Sequence, residues 1–566
     1  MFGRKPAQKK LKLVLCWHMH QPEYRDLNTG EYQLPWTYLH VIKDYIDMVA
    51  HLEAVPQAKA VVNFVPILLE QIEEYARQVS CYLNDRIAIT DPLLAALVAP
   101  SIPADPESRL KLIKDCLRAN RERQINRYAA FRKLADMADW LEHHYESLNY
   151  VNSQFIADIL VWYHLAWTGE TVKLTDSRIK SLIEKGSCYT LHDRIEVLEV
   201  IGEQLSSVIL RYKVLARKGQ IELSVTPYAH PIMPLLLDLK SAHEAMLTAP
   251  LPELEAYPGG EERVVWHLEK GVQTFKRFFG FTPKGCWPSE GSISEQTLKI
   301  LGDFGFDWTA SGGSVLHHSF HLPVNKRPPG IHHPYRLDGT DIACFFRDDG
   351  LSDLIGFEYS KWHADDAVND LIHHLENMAS NELGDTVVTI ILDGENAWEY
   401  YPDNGYFFLS ALYQRLTTHS RIELTTFSEC LKTKADVKPL SRLVAGSWVY
   451  GNFSTWIGDA DKNRGWDMLG DVKWAFDKAL ASKRLTDKQV QEAEFQLAVC
   501  EGSDWFWWFG DYNPGEAVSN FERQFRLNLA NLYRLLGEEP PAYLAMSFTQ
   551  GSGAPAMGGA MRPGIE

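Results

Sequence analysis

The chain has 566 residues, 45% of them apolar and 23% charged, which is a soluble globular composition too long for a single ordinary core. Its 57 basic against 74 acidic residues give a net charge of −17, spread along the chain, which argues against nucleic-acid and anionic-membrane partners and for a neutral or cationic substrate. Eight scattered cysteines without a C-x-x-C pair predict free thiols rather than a disulfide framework or a zinc ribbon, and no apolar run approaches the roughly 18 residues of a membrane helix.

The first element is "LKLVLCW" (11–17), a buried strand that stops at two histidines. Its apolar run is too short for a secretion signal, so a cytoplasmic setting is expected. Similar β-rich runs follow at 60–66, 221–226, 284–287, 306–310, 342–347 and 386–392, most of them separated by helical patterns. That alternation predicts a parallel sheet with crossover helices, and about seven strands suit a (β/α) barrel of seven or eight strands better than an open sheet. Residues 105–215 are strongly helical in pattern and read as an insertion within a barrel domain covering 1–430. A C-terminal helical segment is expected over 431–545, and the Gly/Pro/Ala-rich stretch 546–566 reads as a disordered tail.

In such a barrel the residues just after each strand face the active site. They are His18, His20 and Gln21; Thr226, Tyr228 and His230; Ser289 and Glu290; Arg347, Asp348 and Asp349; and Asp393, Glu395 and Asn396. Glu290 and Asp393 follow apolar strands directly, in "WPSEG" and "LDGENAW", beside glycine and an aromatic. Two carboxylates held about 5–5.5 Å apart in a partly dry cleft can attack an anomeric carbon and protonate the leaving oxygen, giving retention. Burial against aromatic rings and the neighbouring negative charge would keep the acid protonated near neutral pH. Taken singly, each carboxylate is also explained by a helix N-cap or an ion pair with arginine.

His18 and His20 alternate on a strand and therefore point the same way, so they also suit a metal site of a metal-dependent hydrolase or deacetylase; sugar binding and buried, satisfied histidines are the other readings. The Trp-rich stretches 445–469 and 501–513 read as cleft-lining loops or as Ω-loops packed by their own rings, with Asp504 and Trp505 in reach of the cleft. The chain carries 17 Trp, 24 Tyr and 25 Phe, enough to line a cleft for a hydroxyl-rich ligand as well as a core.

Five blocks in order, "WHMHQP", "GQIELSVTPYAHPIMPLL", "GCWPSEGSISE", "ILDGENAWEYY" and "GSWVYGNFSTWIGD", resemble glycoside hydrolase family 57, of the α-amylase and amylopullulanase-like branch. The resemblance covers roughly residues 11 to 515. It implies an incomplete (β/α)7-type barrel with a helical region, a retaining mechanism, α-glucan or maltooligosaccharide as substrate, and no cofactor or catalytic metal. It further implies Glu290 as nucleophile and Asp393 as acid/base, with transglycosylation or branching open beside hydrolysis. His18 and His20 would contact the sugar, with Glu222 and His230 nearby and Trp448 and Trp456 in the cleft wall; Trp287 would brace the turn of Glu290. Arg347 and Asp504 complete the expected substrate-binding set. A catalytically silent glucan-binding protein is the reading from a different class.

Overall fold

The structure is a computed structural model that describes residues 10–320, 330–381 and 386–553. Ten strands form one sheet: β1 (Leu11–Met19), β2 (Ala60–Phe64), β3 (Ile221–Val225), β4 (Gly285–Cys286), β5 (Trp308–Gly312), β6 (Tyr335–Leu337), β7 (Ala343–Arg347), β8 (Val387–Asp393), β9 (Ile422–Thr425) and β10 (Lys438–Leu440). Their order is β10-β6-β7-β5-β4-β3-β2-β1-β8, with β9 also on β1. The seven strands from β7 round to β8 are joined by parallel ladders. Between β7 and β8, among the described residues, a backbone bond from Asp348 N–H to Thr389 O (2.8 Å) and a side-chain bond from Arg347 Nε to Ile391 O (2.8 Å) stand in place of a ladder. The barrel is therefore incomplete, with a seam beside β8.

Alternation along the strands sorts side chains between two cores. On β1, Leu13, Leu15, Trp17 and Met19 pack outward against the helices, while Val14 and Cys16 join Trp287, Trp308, Phe345 and Ile391 inside the barrel. His18 continues the inward row. Register then puts His18 level with Asn63 on β2 and Asp393 on β8, and Asn63 level with Ser224 on β3. This polar layer sits directly above the apolar plug, as expected at the C-terminal face of a barrel.

Helices occupy nearly everything between β2 and β3, from Pro66–Asp85 to Leu191–Arg217. These helices are punctuated by side-chain caps at Asp91, Asp105, Asn152, Asp176 and Thr190, which satisfy first-turn N–H groups where the chain must turn. After β8, two short strands precede the C-terminal helices Ala460–Ala481, Asp487–Cys500, Ser503–Trp508 and Gly515–Leu535, so β10 places part of the segment expected to be helical in the sheet. Residues 546–553, expected in a disordered tail, are docked: Thr549 Oγ1 donates to Asp461 (2.6 Å), and Gly553 N–H reaches Asn513 O (3.1 Å). Residues 554–566 of that expectation lie outside the described residues. Among the described residues no helix is long and apolar enough to cross a membrane.

Candidate active site

A cleft of about 1500 Å³ opens above the polar layer and takes in Glu290 and Asp393 together with His18, His20, His230 and Asp504. Glu290 sits on the corner after β4 with φ 57° and ψ 23°, a left-handed conformation that costs a non-glycine residue on the order of 1 kcal/mol. Gly291 shares it, at φ 58°, because an added Cβ would lie 2.9 Å from the Trp287 ring. Trp448 secures the corner twice: its backbone N–H donates to Glu290 O, and its indole Nε1–H donates to Glu290 Oε2, both at 3.0 Å. Asp393 ends β8 and accepts from Asn396 Nδ2 at 2.8 Å.

Both carboxyls are pushed up. For Glu290 burial is the main cause, followed by the charges of Asp393 and Asp504, and together they outweigh the bonds from Trp448 and Ser503 to raise it to about 8. For Asp393 burial again leads, opposed by Asn396, His20 and Arg347, and the result is about 6. Near pH 7 the pair therefore holds one proton between two carboxyls.

The histidines form a stack that the C-terminal helices complete. His18 Nδ1 is 2.7 Å from Asn63 Oδ1; with that oxygen accepting, the ring offers its Nε2 lone pair to His230 Nε2 at 3.2 Å. His230 Nδ1 lies 2.8 Å from Ser503 Oγ, and His20 Nε2 bonds Asp504 at 2.8 Å. Burial, then the neighbouring His20, lowers His18 to about 3, and the same two causes with His18 added hold His230 well below its ordinary value. Both are neutral hydrogen-bonding groups at pH 7.

The donors of His20, His230 and Asp504 lie within 4.8 Å of one another. His18 is not part of that group, contrary to the metal reading of the sequence. The rings of His20 and His230 stack at 3.8 Å and 23°, which sets their in-plane lone pairs side by side rather than converging on one ion. A hydrogen-bonded stack suits this geometry better than a tetrahedral metal site does.

Arg347 has its Nη1 on Asp349 (2.9 Å) and its Nη2 on Asp353 (2.8 Å), and its guanidinium lies 5.5 Å from the centre of the Trp448 ring. It supports the clamp on Glu290 and keeps positive charge beside Asp393. Three expected residues stand away from the cleft. Glu222 points inward on β3 but is register-paired with Val61, one layer below the polar one, where its carboxylate accepts from Trp308 Nε1 (2.7 Å) and Ser428 N–H (3.0 Å). Trp287 is fully buried as the top of the barrel plug, and Trp456 is fully buried under its loop, 5.9 Å from Trp507. Conversely, Ser503 and Glu395 belong to the site. Glu395, two residues past Asp393, is buried, accepts from Gln21 at 3.2 Å and is pushed well up by that burial. Its position after β8 was a signal; Ser503 had none beyond its neighbour Asp504.

Two buried carboxyls at the strand ends of an incomplete barrel, above an apolar plug, fit a glycoside-hydrolase type of enzyme. The comparisons agree: the model of glycosyl hydrolase family 57 matches residues 14–443, and the chain belongs to that family. No curated protein matches the sequence. The fold is similar to that of a GH57-type branching enzyme from Pyrococcus horikoshii, with TM-score 0.57 and 16% identity over 95% of this chain and 92% of that one. It is also similar to the α-amylase AmyC from Thermotoga maritima (0.54, 14%, over 93% and 94%) and to a 4-α-glucanotransferase from Thermococcus litoralis (0.50, 15%, over 93% and 60%).

Proposed function

We propose that the protein acts on α-1,4-glucans by double displacement, with Glu290 as nucleophile and Asp393 as acid/base. The observation that carries this reading is that two buried carboxyls, both pushed up, reach one cleft from different strands. Support for the substrate comes from the amylase, branching enzyme and glucanotransferase among structurally similar proteins. In the ligand-free cleft the proton rests first on Glu290. A bound chain reverses this: the anomeric carbon gains positive charge beside Glu290, the glycosidic oxygen gains negative charge beside Asp393, and the proton is better placed on Asp393. Glu290 then attacks, the oxygen leaves with the proton, and Asp393 takes a proton from the incoming hydroxyl in the second step. His18 and His230 supply neutral hydrogen-bonding groups to the sugar, with His20 beside them. A cytoplasmic setting belongs to this proposal and accords with eight free thiols.

The test uses maltoheptaose and α-maltosyl fluoride, whose leaving group needs no proton. Glu290→Gln should lower turnover of both by about 1000-fold or more. Asp393→Asn should do so for maltoheptaose and spare the fluoride by at least about 10-fold relative to it. Excess chelator should leave wild-type turnover intact. Equal loss of both substrates in Asp393→Asn, or full activity in Glu290→Gln, would overturn the assignment.

A further inference from the structure

The helix Ala129–Glu142 of the helical region buries Phe131, Ala135, Ala138 and Leu141 on one face. Its opposite face should then be polar. Instead Met137 and Trp140 stand on it exposed, one turn apart, and the short helical turn Tyr145–Tyr150 that follows adds two tyrosines in solvent. Trp140 is 52% exposed and Tyr150 90%, although the buried face of the helix makes no use of either.

The rings are held rather than loose. That of His144 lies on that of Trp140 at 4.1 Å and 10°, and His144 Nδ1 donates to Trp140 O at 2.8 Å, which locks the pair together. Leu148 is fully buried and pins the turn that carries Tyr145 and Tyr150. Lys114 ties the end of the helix to the chain before it, Nζ to Glu142 Oε1 at 2.8 Å. Aromatic faces fixed in this way take a hydroxyl-rich ring at little ordering cost.

Two observations favour a polysaccharide over a protein partner. Asp136, Asp139, Glu142 and Glu146 are exposed among the rings; a dry protein contact would have to desolvate them, whereas a neutral sugar leaves them in water or gives them hydroxyl donors. The other is position. Arg121 lines the cleft, and its guanidinium bonds Asp136 (2.5 Å) and Asp139 (3.0 Å) on the helix of Trp140, which itself is not among the residues lining the cleft. The aromatic platform is thus joined to the cleft rim through one side chain while standing outside it.

We infer that Trp140 and Tyr150 belong to a surface site for α-glucan, separate from the cleft, which holds one segment of a polymeric substrate while another enters the cleft. The inference rests on the α-glucan reading proposed above. Tethering raises the local concentration of chain segments at the cleft, so the site acts on KM for a polymer and leaves the chemical step alone. A free oligomer gains nothing, because a molecule held on the platform brings no attached neighbour to the cleft.

The experiment supplies glycogen and maltoheptaose to wild type, Trp140→Ala and Tyr150→Ala, and runs each protein on native gels with and without glycogen. Both substitutions remove exposed side chains from different elements, and thermal melts show that the variants are folded. The KM for glycogen should rise about 10-fold with kcat unchanged, retardation by glycogen should weaken, and turnover of maltoheptaose should stay as in wild type. A glycogen KM and retardation equal to wild type in both variants would overturn the surface site and leave the reading of the cleft standing. Wild type that turns over neither substrate would overturn the reading of the cleft instead, and retardation by glycogen, lost or kept in Trp140→Ala, then decides the surface site by itself. A wild-type dimer in sedimentation that Trp140→Ala converts to monomer, with the glycogen KM unchanged, would give this face to a second copy of the chain and overturn the glucan site.

Discussion

Trp448 holds Glu290 by backbone and side chain at once, so the protonation of the pair is tied to one indole. The proposed mechanism needs one proton on the two carboxyls, so with values of about 6 and about 8 the profile of kcat/KM should be bell-shaped with its plateau between those pH values. The limb near 8 reports the proton that rests on Glu290 in the free enzyme, and the limb near 6 reports protonation of Asp393. Removing a hydrogen bond to a carboxylate raises its pKa, so Trp448→Phe should move the limb near 8 upward by about one pH unit, the equivalent of the roughly 1.5 kcal/mol of a charge-assisted bond. A limb that stays put would show that the indole does not tune the pair. At this scale the sequence displayed Glu290 and Asp393 because each directly follows an apolar run. The resemblance put Glu222 near the sugar, whereas on β3 it points inward like Ser224 but two residues earlier, one layer below the polar one.

The element that carries Ser503 and Asp504 into the cleft is a helix of six residues, too short to hold itself in place. It is anchored by Glu501, whose carboxylate accepts from Arg263 Nη2 (2.8 Å), His267 Nε2 (2.8 Å) and Tyr257 Oη (2.6 Å), on or near the barrel helix Gly260–Phe279. His267 Nδ1 in turn accepts from Ala229 N–H at 3.3 Å, which fits a neutral ring that donates through Nε2. Burial alone would raise Glu501; Arg263 and His267 overcome it and hold it at about 2, against an ordinary value of 4.5. A folded value below the unfolded one contributes stability above pH 4.5 that is lost as the pH falls towards 2, by about 3 kcal/mol. Glu501→Gln should therefore lower the unfolding free energy at pH 7 by about 3–5 kcal/mol and flatten its decline between pH 4.5 and 3. Denaturant titrations at the two pH values check this, and equal slopes in variant and wild type would refute it. The seven barrel strands were legible from their apolar runs, even the two-residue β4. β6, β9 and β10 were not: three or four residues at a sheet edge carry too little periodicity to stand out.

Across the whole molecule, the catalytic centre draws on residues from His18 to Asp504, and the helical region, barrel and C-terminal helices all meet at one cleft. Activity and tertiary packing should consequently be lost in one thermal transition, read by maltoheptaose turnover and by tryptophan fluorescence. A lower midpoint for activity would mean that the C-terminal helices detach first. The layered plan was visible in the order of elements, whereas the docking of 546–553 was not, because Gly and Pro content registers weak local preference and says nothing of a groove prepared elsewhere.

The seam between β7 and β8 gives the barrel the mechanics of a split ring. A closed hoop resists any change of diameter all the way round, whereas a split one yields at its gap, and here the gap lies beside Asp393 and is spanned by the Arg347 guanidinium. Glu290 and Asp393 are thus linked one way round by ladders and the other way across a seam of a few polar bonds, with six ladders in the whole ring.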